Sequence, residues 1–204
     1  MGKVGIIDLG LGNTRSVHQA LTYLGKKSEL FDDSSQIKNY SHIILPGVGT
    51  FLEGSTRLTK GGWIEDLTYH VIEKGTPILG ICLGMQLLAK EGYEGGRTCK
   101  GLSFIDSQVS LLRSHEKNLA LPHVGWNDIE LNEVSIVSEI KSCFYFVHSY
   151  EMILNTPEKR STCNYGVDFI AAVEKDNIFG VQFHPEKSQN PGLKLLTKFC
   201  EFEN

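Results

Sequence analysis

Residues 77–88, Pro-Ile-Leu-Gly-Ile-Cys-Leu-Gly-Met-Gln-Leu-Leu, decide the fold. The apolar run 78–81 opens behind a proline and reads as a buried strand, and a helix is expected to begin at Leu83 with no linker between the two. Cys82 stands at the junction, with Gly80 and Gly84 two positions to either side. So sharp a turn strains its central residue and lifts it above the sheet, while the flanking glycines let strand and helix approach closely. A cysteine there meets the N–H groups and dipole of a helix N-terminus, which favour thiolate. The competing reading is a structural cysteine between two packing glycines.

Outward from this stretch, the first half alternates strand-like and helix-period segments, as βα units of a parallel sheet covered on both faces do. Strands are expected at 4–9, 28–31 and 42–45. Val17, Ala20, Leu21 and Leu24 give one apolar stripe on a helix stopped by Gly25, and Ile64, Leu67, Thr68, Val71 and Ile72 give another stopped by Gly75. Beyond residue 109 strand candidates follow one another (109–112, 128–131, 144–147, 169–173, 178–183), typical of an antiparallel or mixed extension, and a helix bearing Leu195, Leu196 and Phe199 closes the chain. The Gly-rich patch 91–96 reads as a loop. The expected architecture is a doubly wound α/β fold with a mostly parallel central sheet, helices on both faces and an antiparallel extension, in one domain spanning residues 1–204.

Composition narrows the function. A chain of 204 residues buries a sizeable core without disulfides or structural metal. The net charge of -4, with both signs scattered, offers no basic stripe for nucleic acid. No apolar run approaches the roughly 20 residues that span a bilayer, so no membrane association and a cytoplasmic location are expected. Five cysteines without a C-x-x-C pair or zinc-like spacing point to neither a disulfide framework nor a metal site. Gly10-Leu11-Gly12 follows a strand, but Arg15 stands where a dinucleotide fingerprint needs its third glycine, and no G-K-[ST] is present. No cofactor or metal is expected.

A nucleophilic cysteine needs a base. Among the seven histidines, His184 ends an apolar strand and is followed by Pro185 and Glu186. Residues two apart in an extended segment point the same way, so Glu186 can orient the imidazole and stabilise its charged form as the acid of a Cys/His/acid triad. Pro46-Gly47-Val48-Gly49, directly after the strand at 42–45, lies at the carboxyl edge of the sheet, where open α/β folds place ligands. Its glycines allow a peptide unit to reorient and give an N–H to a tetrahedral oxyanion, although a plain tight turn is the simpler reading of this segment alone.

The motifs G-I-C-L-G-M-Q (80–86), H-P-E-K-S (184–188), P-G-V-G (46–49), P-H-V-G-W-N (122–127) and F-V-H-S-Y (146–150) occur in one chain and in one order. Together they resemble class I glutamine amidotransferases, and within that class the glutaminase subunits of imidazole glycerol phosphate synthases. The resemblance implies a flavodoxin-like fold and a thioester mechanism on glutamine, with Cys82, His184 and Glu186 catalytic. It implies oxyanion contacts at Val48, Gly49 and Leu83, and glutamine held by Gly49, Gln86, Glu94, Ser149 and Tyr150. It also implies a heterodimer with a (β/α)₈-barrel cyclase that receives the ammonia, docked near Asn13, Trp126, Tyr145 and Lys187, in histidine biosynthesis. A paralogous branch with the same triad feeds an amidotransferase of surface-polysaccharide sugars, and is the alternative acceptor.

Overall fold

A computed structural model describes residues 2–130, 133–140 and 142–203. The first half runs β1 (Val4–Ile7), α1 (Thr14–Tyr23), β2 (Ser28–Phe31), a 3₁₀ turn (Ser34–Asn39), β3 (His42–Gly47), α2 (Phe51–Lys60), α3 (Trp63–Leu67), β4 (Ile78–Cys82) and α4 (Leu83–Leu87). The second half runs β5 (Ala89–Glu94), β6 (Arg97–Lys100), β7 (Ile105–Leu111), β8 (His123–Asp128), β9 (Cys143–His148), β10 (Tyr150–Leu154), β11 (Lys159–Asn164), β12 (Asp168–Lys175), β13 (Ile178–Val181) and α5 (Gln189–Cys200).

Seven strands form the central sheet in the order β11-β12-β13-β4-β3-β1-β2. The five from β13 to β2 are parallel, and β12 and β11 extend them antiparallel. A four-stranded sheet, β10-β7-β5-β6, and the antiparallel pair β8-β9 complete the structure. Parallel strands buried on both faces carry apolar residues at successive positions, and their side chains divide by pleat. Ile6, Ile44, Leu79 and Ile81 pack with α1, α5 and the aromatics Phe144, Phe146 and Phe183, whereas Ile7, Ile43, Leu45 and Ile78 pack with α2, α3 and Met85 of α4.

The expected elements of the first half are present, with β3 running on to Gly47 and the second apolar stripe forming α3 continued as a π-helical stretch, Thr68–Glu73. Two readings need correction. The patch 91–96 is a hairpin and not a plain loop: β5 pairs with β6 through Glu94↔Arg97, and Gly95 and Gly96 make the turn at φ +60° and +76°, as a tight hairpin between right-twisted strands requires. The strand expected at 128–131 lies earlier, at His123–Asp128, because its pairing with β9 runs from His123↔His148 to Asp128↔Cys143. Val124 and Trp126 face outward, so apolar patterning pointed to the wrong register, and Leu131 itself lies outside the described residues. Helix α2 escaped the periodicity reading. Its start was nevertheless written locally, since Thr50 accepts a hydrogen bond from Glu53 N–H at 3.2 Å, half of a T-x-x-E capping box.

The elbow depends on the absence of two side chains. A Cβ at Gly80 would stand 2.6 Å from the Gly84 carbonyl oxygen, and one at Gly84 only 1.7 Å from the Leu45 carbonyl oxygen. Those obstacles are backbone and cannot swing aside. Gly84→Ala is therefore expected to destabilise the protein by about 3 kcal/mol or more. Gly25→Ala, at φ +68° but with nothing within 4 Å of its Cβ, should cost only about 1–2 kcal/mol from backbone strain. Urea unfolding of both variants measures the difference, and equal midpoints would contradict it.

Candidate active site

Four loops meet at the carboxyl edge of the parallel strands. They follow β1 (8–13), β3 (48–50), β4 (the elbow) and β13 (182–188). Cys82 has φ +55° and ψ -110°, an outlier for a side-chain-bearing residue of the kind that costs about 1–3 kcal/mol and persists only where the surroundings impose it. It is 6 % exposed.

His184 is 1 % exposed and is held from several sides. Its backbone N–H donates to the Tyr145 carbonyl at 2.9 Å, and the Ser188 hydroxyl donates to its carbonyl at 2.6 Å. The His184 Nδ1–H donates to Glu186 Oε1 at 2.7 Å, between side chains that are both buried. Asn13 donates its amide to the same Glu186 oxygen. With Nδ1 bound to the carboxylate, the other ring nitrogen, Nε2, is the working atom. Among the described residues neither His184 Nε2 nor Glu186 Oε2 has a hydrogen-bond partner.

Burial by itself pushes the His184 imidazole down. The adjacent Cys82 sulfur and then the Glu186 carboxylate more than offset that, and the ring is raised from 6.5 to about 9. The ring is thus protonated at neutral pH, ready to deliver a proton to a leaving group.

The structure brings most of the expected pocket residues together. The parallel register pairs Gly47 with Cys82, so the segment 48–49 emerges beside the sulfur, and Leu83 opens α4 next to it. Gly49 has φ +123°, a region reserved for glycine, and Val48 N–H donates to the Leu11 carbonyl at 2.9 Å. Gln86 is buried in α4 and donates from Nε2 to the Tyr150 carbonyl at 3.2 Å. Glu94, at the end of β5, accepts from Phe51 N–H at 2.6 Å and lies near enough to Tyr150 to help burial raise that phenol. Ser149, between β9 and β10, accepts at its carbonyl from Leu112 N–H. Trp126 and Tyr145 stand edge to face at 5.9 Å, with Lys187 Nζ 5.8 Å from the Tyr145 ring. Asn13, expected with that cluster, has its side-chain amide at Glu186 and, at 3.4 Å, His184 Nδ1.

Sequence reasoning missed Gln182. The register Val181↔Ile81, continued by one residue, sets it beside Cys82. Fully buried, it accepts from Gln86 Nε2 at 3.0 Å and donates from its own Nε2 to the Cys82 sulfur at 3.7 Å. The available signal was a lone amide in the apolar run Ile-Phe-Gly-Val-Gln-Phe.

The geometry can perform acyl transfer: a strained cysteine sulfur, an imidazole beside it, a buried carboxylate and a glycine loop converge on one edge. The family model described as glutamine amidotransferase class-I matches residues 5–201. The chain is 44 % identical, over 97 % of each sequence, to the imidazole glycerol phosphate synthase subunit HisH of Caldanaerobacter subterraneus subsp. tengcongensis. It is 43 % identical to subunit HisH 1 of Campylobacter jejuni, over 96 % of this chain and 98 % of the relative. It is 41 % identical to HisH of Chlorobaculum tepidum, over 98 % of this chain and 100 % of the relative. In fold it is similar to a crystal structure of a glutamine amidotransferase (TM-score 0.72, 20 % identity, 97 % of each chain) and to PurLQS from Thermotoga maritima (TM-score 0.76, 18 % identity, 98 % of this chain and 99 % of that one).

The raised imidazole fixes a sign. Its folded pKa of about 9 exceeds the free value of 6.5, so protonated His184 contributes stability that is complete below pH 6.5 and is lost as pH rises through about 9. Long-range proton–nitrogen NMR on histidine-labelled protein is expected to show this ring titrating near pH 9 and Glu186→Gln moving it down. A wild-type midpoint at or below 6.5 would contradict the pairing.

Proposed function

The chain belongs to the class I glutamine amidotransferase family, and from that membership we propose that it is the glutaminase subunit of an imidazole glycerol phosphate synthase, with residues 1–204 as one amidotransferase domain. The observation that carries the reading is the His184 Nδ1–Glu186 contact of 2.7 Å with Nε2 unpartnered beside Cys82. The synthase assignment draws on relatives 41–44 % identical over essentially the whole chain that bear that subunit's name. They do not favour the surface-polysaccharide alternative.

In this mechanism the Cys82 sulfur attacks the carboxamide carbon of glutamine. The oxygen of the tetrahedral intermediate is met by N–H groups of the 48–49 segment and of Leu83. Protonated His184 gives its proton to the departing nitrogen, the C–N bond breaks, and ammonia leaves a γ-glutamyl thioester on Cys82. The now neutral imidazole takes a proton from water, whose oxygen attacks the thioester and releases glutamate and the Cys82 sulfur. Gln86, Glu94, Ser149 and Tyr150 hold the amino-acid end of the substrate. Trp126, Tyr145 and Lys187, with Asn13 behind them, face a (β/α)₈-barrel cyclase that takes the ammonia in a heterodimer. Trp126, 45 % exposed beside Tyr145, supports an interface at this mouth.

The Val48 N–H is already committed to Leu11, so the isolated chain lacks that oxyanion donor. One missing donor slows acyl transfer by about 10²–10³-fold. Glutamine hydrolysis by the chain alone is expected to be slower than that of its complex with a cyclase subunit by about this factor, and Cys82→Ala should abolish it in both. A coupled assay for released glutamate measures the rates. Hydrolysis indifferent to the cyclase would overturn the synthase assignment, and activity surviving in Cys82→Ala would overturn the thioester mechanism.

A further inference from the structure

Behind the glutamine pocket lie two histidines that the mechanism does not use. Strand pairing sets His123 opposite His148. The two rings are 3.1 Å apart, Nδ1 of His123 to Nε2 of His148. His148 Nδ1 lies 2.9 Å from the Tyr150 carbonyl oxygen, and the Asn127 amide nitrogen lies 3.1 Å from His123 Nε2. Aromatic rings enclose the pair: Phe146 and Tyr165 stack on His123, and Phe169 packs against both imidazoles.

Donor and acceptor arithmetic fixes every proton in this chain. A carbonyl oxygen only accepts, so His148 Nδ1 carries the hydrogen. A neutral imidazole then has a lone pair at Nε2, and His123 must donate to it from Nδ1. That leaves His123 Nε2 to accept from the Asn127 amide. One arrangement satisfies all three contacts, and in it both rings are neutral. Burial favours the same state, pushing His123 down and taking His148 down to about 3.

The chain ends on the oxygen that Gln86 also uses. The Tyr150 carbonyl accepts from His148 Nδ1 and from Gln86 Nε2, and Gln86 connects through Gln182 to the Cys82 sulfur. The alternation of β9 offers no packing reason for an imidazole here, since positions 144 and 146 on the same buried face are phenylalanines. Two desolvated imidazoles in an aromatic cluster cost stability that apolar side chains would not. Their geometry is what distinguishes them from phenylalanine.

We propose that His123 and His148 are positioning residues for glutamine: the pair aims the Tyr150 carbonyl, and with it the Gln86 amide, while the Asn127 amide holds the His123 ring in the orientation that donates to His148. This rests on the glutaminase reading of the site. A buried side-chain network of this kind defines one geometry when every member is satisfied.

Two electrophiles separate positioning from folding. With a chloromethyl ketone analogue of glutamine and with chloroacetamide alike, the Cys82 sulfur displaces chloride and forms a thioether. Only the first must seat in the glutamine pocket. Labelling of the full-length chain is followed at the Cys82 peptide by mass spectrometry, as rate against reagent concentration. His148→Phe is expected to raise the half-saturating concentration of the glutamine analogue by about tenfold, the scale of one lost hydrogen bond, with the chloroacetamide rate unchanged. His148→Asn, which keeps a donor near the Nδ1 position, should restore tight labelling. His123→Met keeps an apolar side chain of similar size among the aromatic rings but has no N–H to donate to His148, and is expected to shift the analogue in the same direction whether or not His148→Phe folds. Unchanged analogue saturation in these variants, or a parallel loss of both reactions, would overturn the proposal. A wild-type chain that reacts with chloroacetamide but shows no saturation by the analogue would overturn the glutaminase reading itself, and this inference with it.

Discussion

The Cα of Gly84 rests against the carbonyl of Leu45, so close that a methyl group there would stand 1.7 Å from the oxygen. This contact seats α4 on the sheet, and the seating forces Cys82 to φ +55°. The rest of the site is arranged around that fixed point. Gly47 lies opposite Cys82 on one side and Gln182 follows the opposing register on the other, so the glycine loop and the buried amide arrive at the sulfur by strand pairing alone. Gly54 shows the same economy one layer out: its missing side chain lets α2 settle on Leu87 of α4, at 2.8 Å from where a Cβ would be.

Electrostatics follows from this placement. An imidazole buried as deeply as His184 would ordinarily be neutral. It is raised instead because Cys82 and Glu186 both lie beside it and favour its charged form. The histidines of the β8–β9 pair show the opposite outcome a short distance away. Their hydrogen bonds go to each other, to the Asn127 amide and to the Tyr150 carbonyl, and burial keeps them neutral. Two populations of imidazole, one charged and one not, thus coexist around one pocket because of what lies within a few ångströms of each.

What was legible in the sequence is what is encoded locally. The elbow occupies five consecutive residues, and His184 and Glu186 are separated only by Pro185, so these short spacings, taken together, pointed to them. The parallel half of the sheet was legible for a related reason: its strands are continuous apolar runs followed by helical stripes. Gln182, His123 and His148 acquire meaning only through cross-strand register, which no single stretch records. The displaced β8 makes the same point from the other side, since Val124 and Trp126 are exposed apolar residues that mislead a reading based on burial. Glu94 ends β5 where Gly95 and Gly96 turn the chain back as a hairpin, a role that glycine content alone did not distinguish from a loop.

The loop after β1 holds two parts of the machinery with residues only two apart. The Leu11 carbonyl keeps the Val48 N–H, and the Asn13 amide keeps the Glu186 carboxylate. Gly10, Gly12 and Asn13 all have left-handed backbone, which turns the chain tightly and keeps both contacts within one short segment. The electrophile-stabilising side and the base-orienting side therefore share a single mechanical mounting. Anything that shifts this short segment as a body, whether a neighbouring protein surface or an altered loop length, acts on both together, and tuning one independently of the other would require rebuilding the mounting itself.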